Sequence, residues 1–483
     1  MDNVFSRRQP PWHGTLASKA LFLHALVLLA YLTISLAFCW PLPARLNSEV
    51  AGRYVDARVF QWNNWWVKRA LVEGLDLDYS EAIYAPSGVS LVSHNFNWVS
   101  SFLSVPLDGL VGPLASYNLL FTFTLWGAAF AMYVLIYDRS GRRDAAFVAG
   151  LVYGFFPYHV SGNWDGQMNL ANVQWLPLFM LFLFRAVETK TWRKQVWSAL
   201  LAGLFLALSA LDCWFFLLFL GLWGIAWLAY SLLAERELWQ RPRLWHTLGA
   251  LALVGASGLA LSAPFLLPVL AEASGGTVES AVAYHADDKA SDLLAFFVPS
   301  SDHPLLGAPL SPLYARFLHW RPAYLGWVAL LLALYGAVAH RHRALLWLLS
   351  GALFGALALG SDLAVAGVRL ESLPTPYRLL TGLVPAIKIV RQANRFNVMV
   401  GLALAVLAGL GWSELAPRLA KRARAATVLV SLLLLFDYWS TPCPTQPGAV
   451  SPFYTQVAAE PDDVPLLELP LNDFHSRASL YPQ

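Results

Sequence analysis

Cysteine and charge are both scarce in this chain. The three cysteines, Cys39, Cys213 and Cys443, are scattered, so they make neither a disulfide framework nor a metal-binding spacing. Charged residues are only 13% of 483, against 57% hydrophobic, and the mean hydropathy is +0.51. A soluble protein of this size carries roughly twice that charge. The composition excludes a soluble enzyme and specifies a polytopic membrane protein. No nucleic-acid partner is expected. A cleavable leader is also lacking. The Leu21–Trp40 run is too long for a signal core, and Pro41-Leu42-Pro43 follows it without a small-residue cleavage site. It reads as a retained first helix. No internal repeat is evident and few charges sit deep in the hydrophobic runs, whereas a simple transporter usually shows two related halves and polar residues at mid-membrane.

What is present is a series of apolar runs of roughly 17–25 residues between charged or Pro/Gly-rich loops. They cover 20–40, 115–137, 145–161, 170–187, 196–211, 213–233, 247–270, 323–340, 344–360, 396–416 and 425–440. The predicted fold is an all-α polytopic membrane protein with about eleven transmembrane helices and a long first extracytoplasmic loop. Segment 98–113 is apolar but short, and carries Pro106, Asp108 and Pro113, so it reads as interfacial or re-entrant. Orientation follows from lysine and arginine. One set of short loops holds Arg7-Arg8, Arg139/Arg142/Arg143, Lys190/Arg193/Lys194, Arg236/Arg241/Arg243, Arg341/Arg343 and Arg418/Lys421/Arg422/Arg424, more than half of the basic residues and few of the acids. These loops are assigned to the cytoplasm, with the N-terminus. Residues 1–440 then form the membrane domain, with long outer loops at 41–97, 271–322 and 361–395. Residues 441–483 form an extracytoplasmic C-terminal segment. Its Val464–Pro470 reads as a strand that cannot stand alone, which suggests a chain cut short within a larger outer domain.

The polar residues cluster at the outer ends of the spans, which suits an enzyme working at the outer membrane face. Asp56 begins a helical pattern in which Val59, Trp62, Trp66 and Ala70 recur at helical spacing; it reads either as the cap of an interfacial helix or as a functional carboxylate. Asp165 and Gln167 lie in the outer turn Pro157 to Asn169, with His159 at its start; the alternative there is a solvated turn bent by Gly162 and Gly166. His94 closes the first outer loop, where a histidine is functional or simply exposed. Asp212, between two apolar runs, is expected to cap the helix that follows. His285, Asp287, Asp288, Asp292, Asp302 and His303 could hold a divalent cation, although their spacing is not diagnostic and a mobile acidic loop fits as well. Arg391 and Arg395 are four apart, hence on one helix face at the outer mouth of a span. Cytoplasmic bias does not account for them, and guanidinium forks match phosphate oxygens. They read as a clamp for a phosphate-bearing lipid or as residues snorkelling to headgroups.

Together these stretches resemble the GT-C glycosyltransferases, and within them YfhO-like multi-span membrane proteins of bacteria. The likeness rests on Tyr54-Val55-Asp56 after the first span, on Phe156-Pro157-Tyr158-His159 through Gly166-Gln167-Met168-Asn169-Leu170 with Gln174-Trp175-Leu176-Pro177-Leu178, and on Leu373-Pro374-Thr375-Pro376-Tyr377 continuing to Arg391-Gln392-Ala393-Asn394-Arg395-Phe396. The resemblance implies transfer of a sugar from a polyprenyl-phosphate donor to an extracytoplasmic glycan, lipid or protein acceptor, in a bacterial plasma (inner) membrane. It makes Asp56 the catalytic base, with a divalent cation in some relatives. Arg391 and Arg395 then hold the departing lipid phosphate. Independently, their common position at outer loop ends predicts that Asp56, His94, His159, Asp165 and Gln167 face one outer cavity, where the substrate binds. Many relatives pair two acids in the first loop. Here Ala57 and Arg58 follow Asp56, and Asp76-Leu77-Asp78 lies beyond the amphipathic helix, so Asp165 is the candidate second acid. The competing readings are a lipid-linked sugar flippase or carrier, and a structural membrane protein without chemistry.

Overall fold

Apolar runs become helices here. In the computed structural model, which describes residues 15–234, 240–274, 289–319, 321–384, 387, 390–449 and 451–460, the first run forms α1, Thr15–Phe38. Helix α2, Asp56–Glu73, buries Ala57, Phe60, Asn64 and Val67 along one face, the spacing of an amphipathic helix. It ends where Gly74 adopts a left-handed φ of 70°. Helix α3, Trp98–Val111, has 14 residues. At 1.5 Å per residue it is about 21 Å long, shorter than the roughly 30 Å hydrocarbon core. The chain continues through α4 (Pro113–Ser140), α5 (Arg143–Gly154), α6 (Pro157–Trp164), α7 (Met168–Ala171) and α8 (Trp175–Glu188). Next come α9 (Trp192–Asp212), α10 (Trp214–Ala234), α11 (Arg241–Ser274), α12 (Gly307–Tyr314) and α13 (Trp327–Ala339). The last are α14 (Arg341–Ala358), α15 (Pro376–Leu383), α16 (Asn397–Arg418), α17 (Ala423–Asp437) and α18 (Pro452–Val457).

Among the described residues, seven helical segments are long and apolar enough to cross a membrane: Leu21–Phe38, Pro113–Ser140, Met168–Glu188, Trp192–Asp212, Trp214–Ala234, Pro242–Glu272 and Ala393–Arg418. The other four expected spans differ for local reasons. The 145–161 run is broken, because Phe156 precedes Pro157 and takes an extended ψ of 128°, which ends one helix and starts another. α13 and α17 have 13 and 15 residues. α14 has 18 residues but opens on Arg341-His342-Arg343, which lowers its hydropathy.

Helix α16 is the centre of the bundle and is buried along most of its length. Small residues let its neighbours approach. A Cβ on Gly411 would meet the Leu332 carbonyl oxygen at 2.0 Å, and one on Gly336 the Leu407 carbonyl oxygen at 2.4 Å. The backbones of α13 and α16 therefore touch, as small residues allow in membrane bundles, where apolar burial alone gives little drive.

Among the described residues, strands occur only in the loops, as three antiparallel pairs. β1 (Glu49–Ala51) pairs with β6 (Thr445–Pro447), β2 (Tyr79–Ser80) with β3 (Val89–Ser90), and β4 (Asp362–Val365) with β5 (Val368–Pro374). The first pair joins the segment after α17 to the first long loop. Asn118 reinforces it, its amide donating to Leu46 and Glu49 carbonyls at 2.8 and 2.7 Å. The 289–322 loop reaches the same place, where Arg53 meets Asp302 at 2.7 Å. Asp292 accepts from Ala366 and Gly367 at the tip of the β4–β5 hairpin. The described parts of the loops read as outer thus gather at one end. Described arginine-rich connections meet at the other, where Arg139 meets Glu188 and Tyr230 donates to the His342 carbonyl. The Val464–Pro470 strand and His285, Asp287 and Asp288 lie outside the described residues.

Candidate active site

Asp56 is the first residue of α2, and the cap position belongs to Val55. Its carboxylate is half-buried and accepts a hydrogen bond from the Gln167 amide at 2.9 Å. Two glycines make this approach possible. Gly166 has φ +80°, and a Cβ there would lie 2.6 Å from the Ala57 nitrogen; Gly52, at φ +112°, packs against Gly166 in turn. The turn holding Asp165 and Gln167 is thereby pressed onto the first turn of α2.

Gln167 also accepts from Arg321 at 2.8 Å. Arg321 donates twice to one Asp165 oxygen, at 2.8 and 3.2 Å, and both side chains are 1% exposed. Arg53 lies 3.5 Å from the other Asp165 oxygen and reaches on to Asp302. Three hydrogen bonds in series therefore connect Asp56 to Asp165, through Gln167 and Arg321. Burial pushes the Asp165 carboxyl up to about 6, while Arg321 and Arg53 pull it down. Burial also works against the Arg321 charge, but Tyr158 and Asp165 hold it above the usual arginine range. Asp165 is a closed-in counterion and has no access to bulk water.

A cationic group faces the same region. Burial lowers the Lys289 ammonium, and the charges of Arg395, Arg321 and Arg391 lower it further while Asp56 opposes them. His319 is pushed well down by burial and then by Arg321, Lys289 and Arg395. Lys289, His319, Arg321, Arg391 and Arg395 are thus near enough to influence one another, and Asp56 is near enough to Lys289 to oppose them. Arg395 lies over the Phe215 ring at 4.5 Å and donates to the Val390 carbonyl at 2.7 Å, leaving its buried Nε without a hydrogen-bond partner.

The expected helix-face pairing of Arg391 and Arg395 is corrected. α16 begins only at Asn397, Arg395 sits on a short 3-10 turn, Ala393–Phe396, and Arg391 has φ +60°. The Gln392 amide donates to the Val390 carbonyl at 2.7 Å, so Arg391 is the centre of a tight γ-turn that no helix can contain. Its side chain is exposed. Such positive φ is rare for a residue with a Cβ, and its local strain is characteristic of ligand sites. Asp212 also departs from expectation. It caps α3 instead of α10, accepting from the Ser100 amide at 3.3 Å and the Trp175 indole at 2.8 Å.

The two histidine candidates stand apart. His159 is buried, with its ring nitrogens 2.9 Å from the Gly154 and Ala171 carbonyls, so it ties α5 to α7. Burial pushes it down to about 4, against the pull of those carbonyls. His94 contacts Asn63 at 2.7 Å and lies edge-on to Trp62 and Phe96. Asn63 is seven residues beyond Asp56 on the same face of α2, about 10 Å along the axis. His94 thus belongs to a neighbouring amide cluster, in which Asn63 donates to the Asn95 carbonyl and Asn169 to the Asn95 side chain.

The described acidic-loop residues are committed elsewhere. Asp292 binds backbone amides, Asp302 binds Arg53, and His303 lies between the Phe436 carbonyl and the Leu305 and Leu306 amides. Among the described residues no three His, Cys, Asp or Glu side chains converge on a common point. Sequence reading passed over Arg321 and Lys289. The signal that singled out Arg391 and Arg395, basic residues on an acid-rich side, applied to them equally.

No family model and no curated protein matches the chain. Among solved structures, the chain is similar to ArnT from Cupriavidus metallidurans bound to undecaprenyl phosphate, with 14% identity and a TM-score of 0.42. The match covers 86% of this chain and 64% of that one, so the chain spans less than two thirds of its length.

Proposed function

We propose that the chain is a membrane glycosyltransferase that moves a sugar from a polyprenyl-phosphate donor to an extracytoplasmic acceptor, as its motifs suggest. The observation that carries this reading is a half-buried carboxylate, Asp56, tied through Gln167 to the buried Arg321, with Lys289 near enough to feel its charge. Asp56 takes the proton of the acceptor hydroxyl as its oxygen attacks the anomeric carbon. The bond from that carbon to the phosphate oxygen breaks, and the lipid phosphate leaves with the extra negative charge. Arg395, Lys289 and the exposed Arg391 stabilise that charge in a low-dielectric setting, where aimed cations act most strongly. Gln167 fixes the orientation of Asp56, and Arg321 fixes Gln167. Asp165 acts through Arg321 as a positioning residue, since it is closed off from an acceptor.

The test is transfer of a radiolabelled sugar from a polyprenyl-phosphate donor in membranes, with donor binding measured separately. Asp56→Asn should bind donor normally and lose turnover, because an amide cannot take the proton. Arg395→Ala should weaken donor use by about 1.5–3 kcal/mol, the loss of a charge-assisted contact. Wild-type rates in both variants would remove these residues from the mechanism and favour a carrier.

A further inference from the structure

A second cavity, of about 280 Å³, opens at the opposite end of the bundle, between the ends of α4, α8 and α16 and the start of α14. One wall is apolar and includes Leu135, Phe184, Trp347 and Val406. The polar side carries Arg139, Arg142 and Arg343. Two of these are already neutralised. Arg139 binds Asp138 at 2.8 Å and Glu188 at 2.5 Å, and Arg142 binds Asp144 at 2.5 Å. Glu414, the carboxylate in the lining, is held by Arg418 at 2.7 Å, with His340 at 3.4 Å. Arg343 is half-buried in the lining and makes no hydrogen bond or ion pair among the described residues.

We infer that this cavity binds one anionic phospholipid, with its phosphate on Arg343 and its glycerol and first acyl carbons on the apolar wall. A half-buried guanidinium without a carboxylate is costly unless an anion meets it. The apolar wall contributes nothing to a free phosphate, but it matches the part of a lipid next to the headgroup. Basic pockets between membrane helices recruit acidic headgroups in this manner. The site lies at the end where the arginine-rich connections collect, and it does not depend on the reaction proposed above.

The experiment is native mass spectrometry of the full chain released from vesicles of phosphatidylglycerol and phosphatidylethanolamine in equal parts. Wild-type protein should retain phosphatidylglycerol in preference to the zwitterionic lipid. Arg343→Gln should lower that retention about tenfold, the loss of one charge-assisted contact. Arg343→Lys keeps the charge, loses the fork and should fall between them. Arg341→Gln, exposed and outside the lining, should retain lipid like wild type. Millimolar inorganic phosphate should not displace the lipid. Equal retention in wild type, Arg343→Gln and Arg343→Lys, or equal retention of both lipids, overturns the proposal. Displacement by inorganic phosphate also overturns it, in favour of a free-anion site.

Discussion

Replacing Arg321 with methionine removes the group that holds the outer site together. Arg321 gives Asp165 two hydrogen bonds, at 2.8 and 3.2 Å, and gives Gln167 one at 2.8 Å. Without it, Asp165 keeps only Arg53, at 3.5 Å, around a carboxylate that is 1% exposed. Breaking a buried pair from one side costs about 3–5 kcal/mol, because the remaining charge is uncompensated. Replacing both partners with apolar side chains of similar size is often nearly neutral. The expectation is a large loss for Arg321→Met and substantial recovery in Arg321→Met/Asp165→Leu. The coupling in the cycle should be about 2–3 kcal/mol. Denaturant unfolding of the purified protein in detergent, followed by tryptophan fluorescence, measures all four corners. A loss below about 1 kcal/mol in the single variant, or additive losses in the double, would refute the argument that this pair is a buried unit. Neither variant should regain sugar transfer, because Gln167 has lost its anchor in both.

Two further outcomes follow from the same geometry. Gly166→Ala puts a methyl group 2.6 Å from the Ala57 nitrogen at a φ of +80°. It should reduce turnover strongly through displacement of Asp56 while donor affinity holds; unchanged turnover in the transfer assay would show that the contact is dispensable. The Asp165 carboxyl, raised from 3.8 to about 6, makes two opposite demands on pH. The folded state holds this proton more tightly than the unfolded chain, so the group's contribution to stability is full below pH 3.8 and lost as pH rises through about 6. Activity should run the other way, falling below about pH 6 as Arg321 loses its counterion, and Asp165→Asn should remove that inflection from the rate profile.

The parts of the fold that depend on neighbouring residues were legible from the residues themselves. The apolar spacing of Val59, Trp62, Trp66 and Ala70 marks α2, and Gly74 ends it. The break after α5 was also written in Phe156-Pro157, but continuous hydrophobicity on both sides hid it. The turn at Arg391 was less accessible. An i, i+4 spacing of arginines looks helical, and only the backbone reveals a γ-turn between Val390 and Gln392. Arg321 and Asp165 are 156 residues apart, and nothing in the local sequence of either announces the other. Their pairing depends on which loops share an end of the bundle, which the alternation of basic connections implies only in outline.

That arrangement bears on why the first-loop carboxylate stands without a second acid beside it. An isolated Asp56 would wander with the end of α2, because the cap position is Val55 and the preceding residues Tyr54 and Val55 are exposed. Gln167 supplies a neutral donor, which orients the carboxylate without neutralising it. A lysine or arginine in that place would pair with Asp56 directly and weaken it as a base. The positive charge is kept one bond further away, on Arg321, and is balanced there by Asp165. On the proposed reading the second acid is Asp165, at the far side of a glutamine relay. There it holds the arginine, and on the proposed reading the acceptor and the lipid phosphate meet Asp56 with Lys289, Arg391 and Arg395.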